Sequence, residues 1–169
     1  MPKPIPNTYA VYFQQYIDQV REEDLFKAFE TQQPLIQELL SAVNEEKSSF
    51  AYAEGKWTLK ELLQHIIDTE RIFNYRALCF ARKEAHSLPG FDENEYAANS
   101  NSGSRTWQEL AHEFKVVRDS TLALYQSFSE SVLNHCGTAN NNTTSVLATG
   151  FITIGHFYHH KKVIEERYL

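Results

Sequence analysis

Helix breakers and paired cysteines are scarce in this sequence of 169 residues. Its six Gly and five Pro fall mostly between periodic segments, which favours long helices joined by loops over a turn-rich β fold. The two cysteines, Cys79 and Cys136, belong to no CxxC motif, so we expect reduced thiols and no disulfide framework. An extracellular domain stapled by disulfides is therefore not expected.

Basic charge and long apolar runs are also lacking. Sixteen Lys and Arg stand against 22 Asp and Glu, which gives a net charge of −6 without a basic stripe, so we expect no nucleic-acid partner. No apolar run approaches the roughly 18 residues of a membrane span, and the amino-terminal residues lack the apolar core of a signal peptide. We therefore expect a cytoplasmic protein without a membrane partner.

What the sequence does contain is apolar residues that repeat at the period of an α-helix. With 42% hydrophobic residues, the chain can fill the core of a single domain over residues 1–169. Apolar residues recur every three or four positions in four segments, which predicts helices over 24–43, 59–82, 106–128 and about 145–169. Helices of this number and length favour an all-α four-helix bundle.

Two of the helix starts carry the same capping signal. In each, a Thr is followed three residues later by a Glu, so each side chain can accept a hydrogen bond from the backbone N–H of the other residue. The pairs are Thr58 with Glu61 and Thr106 with Glu109. The polar residues 143–145 can cap the last helix.

Three segments outside these helices, and one proline inside the first helix, lead to further expectations. Residues 83–105 are too many for a tight hairpin, so we expect a long crossover connection that can form a wall or lid of a site. Residues 1–20 are rich in aromatic side chains, which predicts a docked N-terminal arm. The run 140–142, three Asn, indicates a loop before the last helix, and Pro34 predicts a kink or break in the first.

Histidine is the residue type whose placement indicates a site. His156 and His160 are four residues apart on the last predicted helix, so their side chains lie about 40° apart on one face. His65 lies on the face of the second helix that turns into or along the core. His159 lies about 60° from His156 and about 100° from His160, so we interpret it as a surface residue or a neighbour of the ligands.

Three inward-facing histidines on two helices predict a metal site at His65, His156 and His160. A lone buried His more often bonds a backbone carbonyl or a Thr hydroxyl, and that alternative stays open for each one taken alone. Three together leave several ring nitrogens unsatisfied in a core that opposes protonation, and one divalent ion would satisfy them together. Three His ligands also leave a coordination position open, as in catalytic zinc sites.

Three stretches of the chain resemble one protein family: residues 52–71, the loop 88–92, and the ending 155–169. They resemble the DinB-like superfamily, which includes the bacillithiol, mycothiol and glutathione S-transferases of the YfiT type, and the resemblance covers nearly the whole chain. It implies a four-helix bundle with a crossover and a divalent ion, zinc or nickel, held by His65, His156 and His160. Phe157 and Tyr158 depart from the family pattern, in which many members have an acidic residue between these ligands.

The first functional hypothesis is a transferase that joins a low-molecular-weight thiol to an electrophilic small molecule. A thiol at the open metal position would lose its proton near neutral pH, and the thiolate would be the nucleophile. Arg76, on the His65 face, is a candidate to bind the carboxylate of a peptide-like thiol, with pairing to Glu70 or a loop acid as the alternative. Phe91 in the crossover is a candidate pocket wall or a simple loop anchor.

Two other functions fit the same residues. One is a hydrolase, in which metal-bound water attacks the substrate, and the other is a non-enzymatic module that binds a metal or a ligand. Asp68 or Glu70 could act as a general base, but Asp68 lies toward the polar side of its helix, so we interpret it as a member of a helix-surface or inter-helix ion pair. A homodimer is among the assemblies that the sequence allows.

Overall fold

Helices dominate the structure, a computed structural model that describes residues 2–169. In chain order its helices and strands are α1 (Gln14–Ile17), α2 (Leu25–Ala42), α3 (Glu45–Ser48), α4 (Leu59–Ala81), α5 (Glu93–Asn99), α6 (Trp107–Gln126), α7 (Glu130–Leu133), β1 (Cys136–Ala139), β2 (Asn142–Ser145) and α8 (Val146–Arg167). Helix α4 packs against both α6 and α8, and α2 packs against α8. These four long helices are the predicted bundle.

Both predicted capping boxes form. The Thr58 hydroxyl accepts from the backbone N–H of Glu61 at 3.2 Å, and the Glu61 carboxylate accepts from the backbone N–H of Thr58 at 2.7 Å. Thr106 and Glu109 repeat the arrangement at 3.2 and 2.8 Å. At the start of α8 the capping residue is Ser145, whose hydroxyl accepts from the backbone N–H of Ala148. Local sequence therefore defines where three of the four long helices begin.

Pro34 does not break the first long helix, contrary to one of the two expected outcomes. Helix α2 continues through it from Leu25 to Ala42. A proline within a helix costs about 3 kcal/mol. The apolar face of α2 buries Leu25, Phe29, Ile36, Leu39 and Leu40, and this burial outweighs the cost.

Residues 136–145 form a β-hairpin, so the prediction of a simple loop over 140–142 is wrong. Strands β1 and β2 pair antiparallel, and the turn residues Asn140 and Asn141 have φ angles of 47° and 60°. Asn tolerates this left-handed conformation better than most residues, and two such residues in succession suit a tight hairpin turn. Leu88 of the crossover bridges to Ala139, so the crossover lies beside the hairpin.

The N-terminal arm, residues 1–20, packs against α8 in its described part. Ile17 and Val20 are buried, and the backbone carbonyl of Tyr16 lies so close to Gly155 that a Cβ there would stand 2.0 Å from its oxygen. Only glycine permits this approach of two backbones. The arm is thus fixed to α8 one residue before His156.

The remaining features of the fold agree with the composition. Cys79 and Cys136 are free thiols, the first half-buried and the second exposed. Across residues 2–169, no helix is both long enough and apolar enough to span a membrane.

Candidate metal-binding pocket

The structure brings the side chains of His65, His156 and His160 together at one point. The Nε2 atoms of His65 and His156 are 3.2 Å apart, and those of His160 and His156 are 3.0 Å apart. One candidate ligand atom from each of the three rings lies within 4.8 Å of the others. Helix α4 supplies the first ring and α8 the other two, so the packing of these two helices assembles the cluster.

Burial keeps these imidazoles neutral. It lowers the pKa of His65 to about 4, with a further contribution from the charge of His159. Burial also holds the pKa of His156 and of His160 well below the ordinary value, and the neighbouring histidines add to the effect. A neutral imidazole offers a lone pair on one nitrogen, which is the form that binds a metal ion.

Hydrogen bonds among the three rings cannot satisfy the cluster. The Nε2 atoms of His65 and His160 both lie within hydrogen-bond distance of His156 Nε2. A neutral imidazole nitrogen carries either one proton or one lone pair, so His156 Nε2 can form only one of these two hydrogen bonds. In addition, His160 Nδ1 is buried without a hydrogen-bond partner. Three nitrogens that bind one tetrahedral zinc at about 2.0–2.1 Å lie about 3.3 Å apart, close to the two distances measured here. The residues present fit a divalent ion.

His159 lies beside this cluster and not in it. Its ring packs edge-on against His160 at 4.9 Å and against Tyr16 at 5.5 Å. This position agrees with the angular interpretation of the last helix.

The three histidines open onto a pocket of about 340 Å³. Six of its 15 lining residues are aromatic: Tyr12, Phe13, Tyr16, Trp57, Phe73 and Phe91. Trp57 packs against His65 at 4.8 Å between ring centroids, and Tyr16 packs against His156 at 5.6 Å. The cluster is therefore shielded by an aromatic ring on each of two sides and reaches solvent through the pocket.

Arg76 also lines this pocket and lies in its wall. Its guanidinium donates to the carbonyl of Pro89 at 2.9 Å and lies 5.9 and 6.0 Å from the ring centroids of Phe73 and Phe91. Within residues 2–169 no carboxylate forms an ion pair with it, so the alternative of pairing with Glu70 or a loop acid is wrong. Burial lowers the pKa of Arg76, but a guanidinium stays protonated near neutral pH.

Phe91 and Thr69 complete the part of the pocket near α4 and the crossover. Phe91 lines the pocket and packs against Tyr96 at 5.2 Å, so it is both a wall and an anchor of its loop. Thr69 lies one helical turn after His65 and is 4% exposed, and its hydroxyl has no hydrogen-bond partner. Thr69 thus leaves a buried hydroxyl unpaired in the wall of the pocket.

The two acidic residues of α4 have separate surroundings. Glu70 is buried and pairs with Arg118 of α6 at 2.8 Å, a partner that the sequence analysis did not predict. Asp68 accepts from Gln64 at 2.9 Å and lies 3.8 Å from Arg71, and burial raises its pKa. Neither carboxylate lines the pocket.

Sequence reasoning missed the residues that shape the pocket around the histidines. Tyr12, Phe13 and Tyr16 come from the arm, which was expected to dock but not at the site. Asn140 enters from the hairpin, which was not predicted. The two consecutive Asn residues of the turn were the sequence signal from which the hairpin, and with it the position of Asn140, could have been predicted.

Comparison with models of protein families identifies the family of this chain. The model described as the DinB superfamily matches residues 28–164. The chain belongs to the DinB superfamily. The match starts after the arm and includes all three clustered histidines of this superfamily member.

The known proteins that resemble this DinB superfamily chain are distant. A protein of Oceanobacillus iheyensis that carries the provisional name of a metal-dependent hydrolase is 29% identical over 83 residues. These residues are 47% of this chain and 48% of the relative, so the chain spans about half the length of that curated relative.

Two solved structures share the fold. YfiT of Bacillus subtilis, a four-helix bundle of unusual topology to which a metal-dependent hydrolase activity has been ascribed, matches with a TM-score of 0.71 and 13% identity. The match covers 97% of this chain and 90% of YfiT. A mycothiol-dependent maleylpyruvate isomerase matches with a TM-score of 0.65 and 15% identity over 89% of this chain and 59% of its own. At such identities the likeness is evidence for the fold.

Proposed function

We propose that this protein is a metal-dependent enzyme that joins a low-molecular-weight thiol to an electrophilic small molecule. The observation that carries the proposal is the convergence of three neutral imidazoles, one buried and two half-buried, in the wall of a pocket of about 340 Å³. Such a pocket is large enough for a small organic reactant. The mycothiol dependence named for one structural neighbour supports a thiol reactant.

His65, His156 and His160 would hold the ion, with zinc or nickel as the candidates that suit imidazole ligands. When bound, a divalent ion at three imidazoles lowers the pKa of a thiol or a water molecule at its remaining position. The chain's own residues hold the imidazoles neutral by burial and shield two sides of the cluster with Trp57 and Tyr16.

Arg76 and Phe91 would bind a reactant that carries a carboxylate. A guanidinium binds a carboxylate with two parallel hydrogen bonds, and the Phe73 and Phe91 rings on either side hold it in place. In the reaction itself an S–C bond forms while a carbon–chlorine or epoxide carbon–oxygen bond breaks. With the chloride, the thiol proton goes to solvent and chloride departs; with the epoxide, the ring oxygen stays on the product and takes up one proton to become the alcohol, so no net proton is released.

A hydrolase is the second candidate, because two of the similar proteins carry that activity in their names. The same ion would then activate water, and no thiol would be needed. The two candidates share every residue described above and differ in the nucleophile.

Turnover in the presence and absence of thiols tests the proposal. Protein loaded with zinc or nickel is incubated with a chlorinated aromatic or an epoxide and with a panel of small thiols. Thiol-dependent product is expected, and His65→Ala should abolish it while His86→Ala, at an exposed histidine outside the pocket, should leave it unchanged. Product release without any thiol would favour the hydrolase. Absence of product in both conditions, in protein that binds the metal, would leave the non-enzymatic module.

A further inference from the structure

The arm forms one wall of the pocket that holds the three histidines. Tyr12, Phe13 and Tyr16 line it, and the match to the superfamily model begins only at residue 28. This wall therefore lies outside the part of the chain that the superfamily model describes. A wall of this kind can give the pocket its own selectivity, because it contacts whatever binds beside the histidines.

Packing fixes Phe13 and Tyr16 of this wall in place, whereas Tyr12 is 63% exposed and contacts the other two. The Phe13 ring contacts Phe73 of α4 edge-on at 6.4 Å, and the Tyr16 carbonyl lies against Gly155 of α8. The Tyr12 and Tyr16 hydroxyls lie 3.3 Å apart. A rigid aromatic wall binds a flat apolar group at little cost in conformational entropy.

The part of the pocket around Arg76 differs from the aromatic wall of the arm because it carries a positive charge. Arg76 is 9% exposed, has a single hydrogen bond to Pro89, and forms no ion pair with any carboxylate in the described part of the chain. A buried positive charge without an anionic partner is unfavourable, and a ligand carboxylate would compensate it. On α4, Arg76 follows His65 by eleven residues, about 16 Å along the helix axis, so this charge is remote from the histidine cluster.

We propose that the pocket selects a flat aromatic reactant that carries one carboxylate, with its ring against the arm and its carboxylate at Arg76. This inference rests on the proposed function, since it names the reactant that meets the thiol. It assigns Arg76 to the electrophile and not to the thiol. A second recess of about 290 Å³ shares Trp57, His159 and His160 with the pocket and gives the thiol a separate approach.

A set of unreactive probes tests the inference by titration calorimetry on the protein as purified, without any thiol. The probes are 2-naphthoate, 2-naphthamide, which keeps the ring but lacks the charge, and cyclohexanecarboxylate, which keeps the charge but lacks the flat ring. We expect 2-naphthoate to bind at least about tenfold more tightly than either comparison probe. Equal binding of 2-naphthoate and 2-naphthamide, or no binding of 2-naphthoate, would overturn the inference.

Two pairs of variants locate the binding. Arg76→Gln should remove the preference for 2-naphthoate over 2-naphthamide, whereas Arg82→Gln, at an exposed residue of the turn that ends α4, should keep it. Tyr12→Ala should weaken 2-naphthoate binding about three- to tenfold, and Val11→Ala, at the exposed neighbour outside the pocket, should not. Retention of the charge preference by Arg76→Gln, or unchanged affinity in Tyr12→Ala, would contradict the assignment.

The outcome is separable from that of the proposed function. Probe binding needs no thiol and no turnover, so a protein that binds 2-naphthoate as expected but shows no thiol-dependent product supports the pocket chemistry alone. Thiol-dependent turnover without any preference for the aromatic carboxylate would support the proposed function and reject this inference. The probe series, repeated on the unmodified protein after a chelator has removed the ion, decides even where Arg76→Gln fails to fold, because the probe carboxylate then has no metal ion to bind.

Discussion

Helix α4 carries two buried polar clusters that differ in how far their polar atoms find partners within the chain. In the first, the Glu70 carboxylate accepts from Arg118 at 2.8 Å and from the Thr121 hydroxyl at 2.6 Å. Gln32 bonds Arg118 and donates to the carbonyl of Ile154 at 2.9 Å. Asn74 donates to the Thr121 hydroxyl at 2.7 Å, and within the described chain its Oδ1 and Arg118 Nε are the two buried atoms of this cluster that have no partner.

The second cluster lies along the pocket and is incomplete. The Thr69 hydroxyl and His160 Nδ1 are buried without partners, and Arg76 forms no ion pair with any residue in the range 2–169. Thr69 and Glu70 are adjacent in sequence, yet the turn of about 100° between them sends one into the pocket and the other into the core. A satisfied network stabilises the fold, whereas an unsatisfied one indicates a place for a ligand.

The largest expected effect concerns the metal. Protein as isolated should hold about one divalent ion per chain, and His160→Ala should weaken binding at least about a hundredfold, because it removes one of three ligands. His159→Ala, at the neighbour outside the cluster, should keep the ion. Competition with a coloured chelator measures both affinities. The opposite result, with His159 required and His160 dispensable, would show that the other face of α8 holds the metal.

Breaking the satisfied cluster should give the next largest effect, on stability. Glu70→Ala leaves Arg118 buried without its carboxylate and should lower the free energy of unfolding by about 3 to 5 kcal/mol, measured with urea. Glu30→Ala is the matched control, since it removes an exposed pair with Lys27 and should cost about 0.5 kcal/mol or less. A loss below about 1 kcal/mol for Glu70→Ala would mean that this network does not stabilise the fold.

As the pH falls, protonation should affect the histidines of the pocket before it affects the cluster of Glu70 and Arg118. Burial lowers the histidine pKa values in the folded state, so between pH 6.5 and about 4 the unfolded chain binds more protons than the folded chain. Metal-free protein should therefore be fully stable above pH 6.5 and lose stability as the pH falls toward 4, and His65→Phe should reduce this dependence of stability on pH.

Protonation of the three histidines should also release the bound ion below about pH 5 to 6. Retention of the ion at pH 4 would argue for carboxylate or thiolate ligands.

The smallest expected effects come from two variants, each of which removes a single hydroxyl from one of the clusters. They give the most direct comparison of the two clusters. Thr121→Val removes the donor to Glu70 and should cost about 1 to 2 kcal/mol in urea unfolding. Thr69→Val removes a hydroxyl that has no partner within the described chain and should leave stability unchanged or slightly higher. Equal losses in the two variants would erase the distinction between the clusters.

The parts of the fold that sequence predicts are those determined by local interactions. The capping boxes at Thr58 and Thr106 form because their partners are three residues away. The shared face of His156 and His160 follows from helical period in the same way. The meeting of these two rings with His65 was expected from their inward facing, and the structure brings them together; whether they bind metal stays a prediction.

The parts that sequence did not predict depend on contacts between distant segments. Glu70 pairs with Arg118, which is 48 residues away in the sequence, so no local pattern identifies this pair. Strands β1 and β2 have only four residues each, too few for alternation to be recognised. The position of the arm follows from one glycine, Gly155, whose meaning appears only when a second backbone lies against it.

That contact also bears on where the chain can be shortened for expression. A chain cut back to residues 28–164, the range of the superfamily match, would lose Ile17, Val20 and Leu25, which are all buried. It would also expose the strip of α8 around Gly155 and Ile154 that the arm covers. An uncovered apolar strip of this kind attracts other copies of itself, so the shortened chain should be poorly soluble. The arm therefore acts as a solubility element as well as a wall.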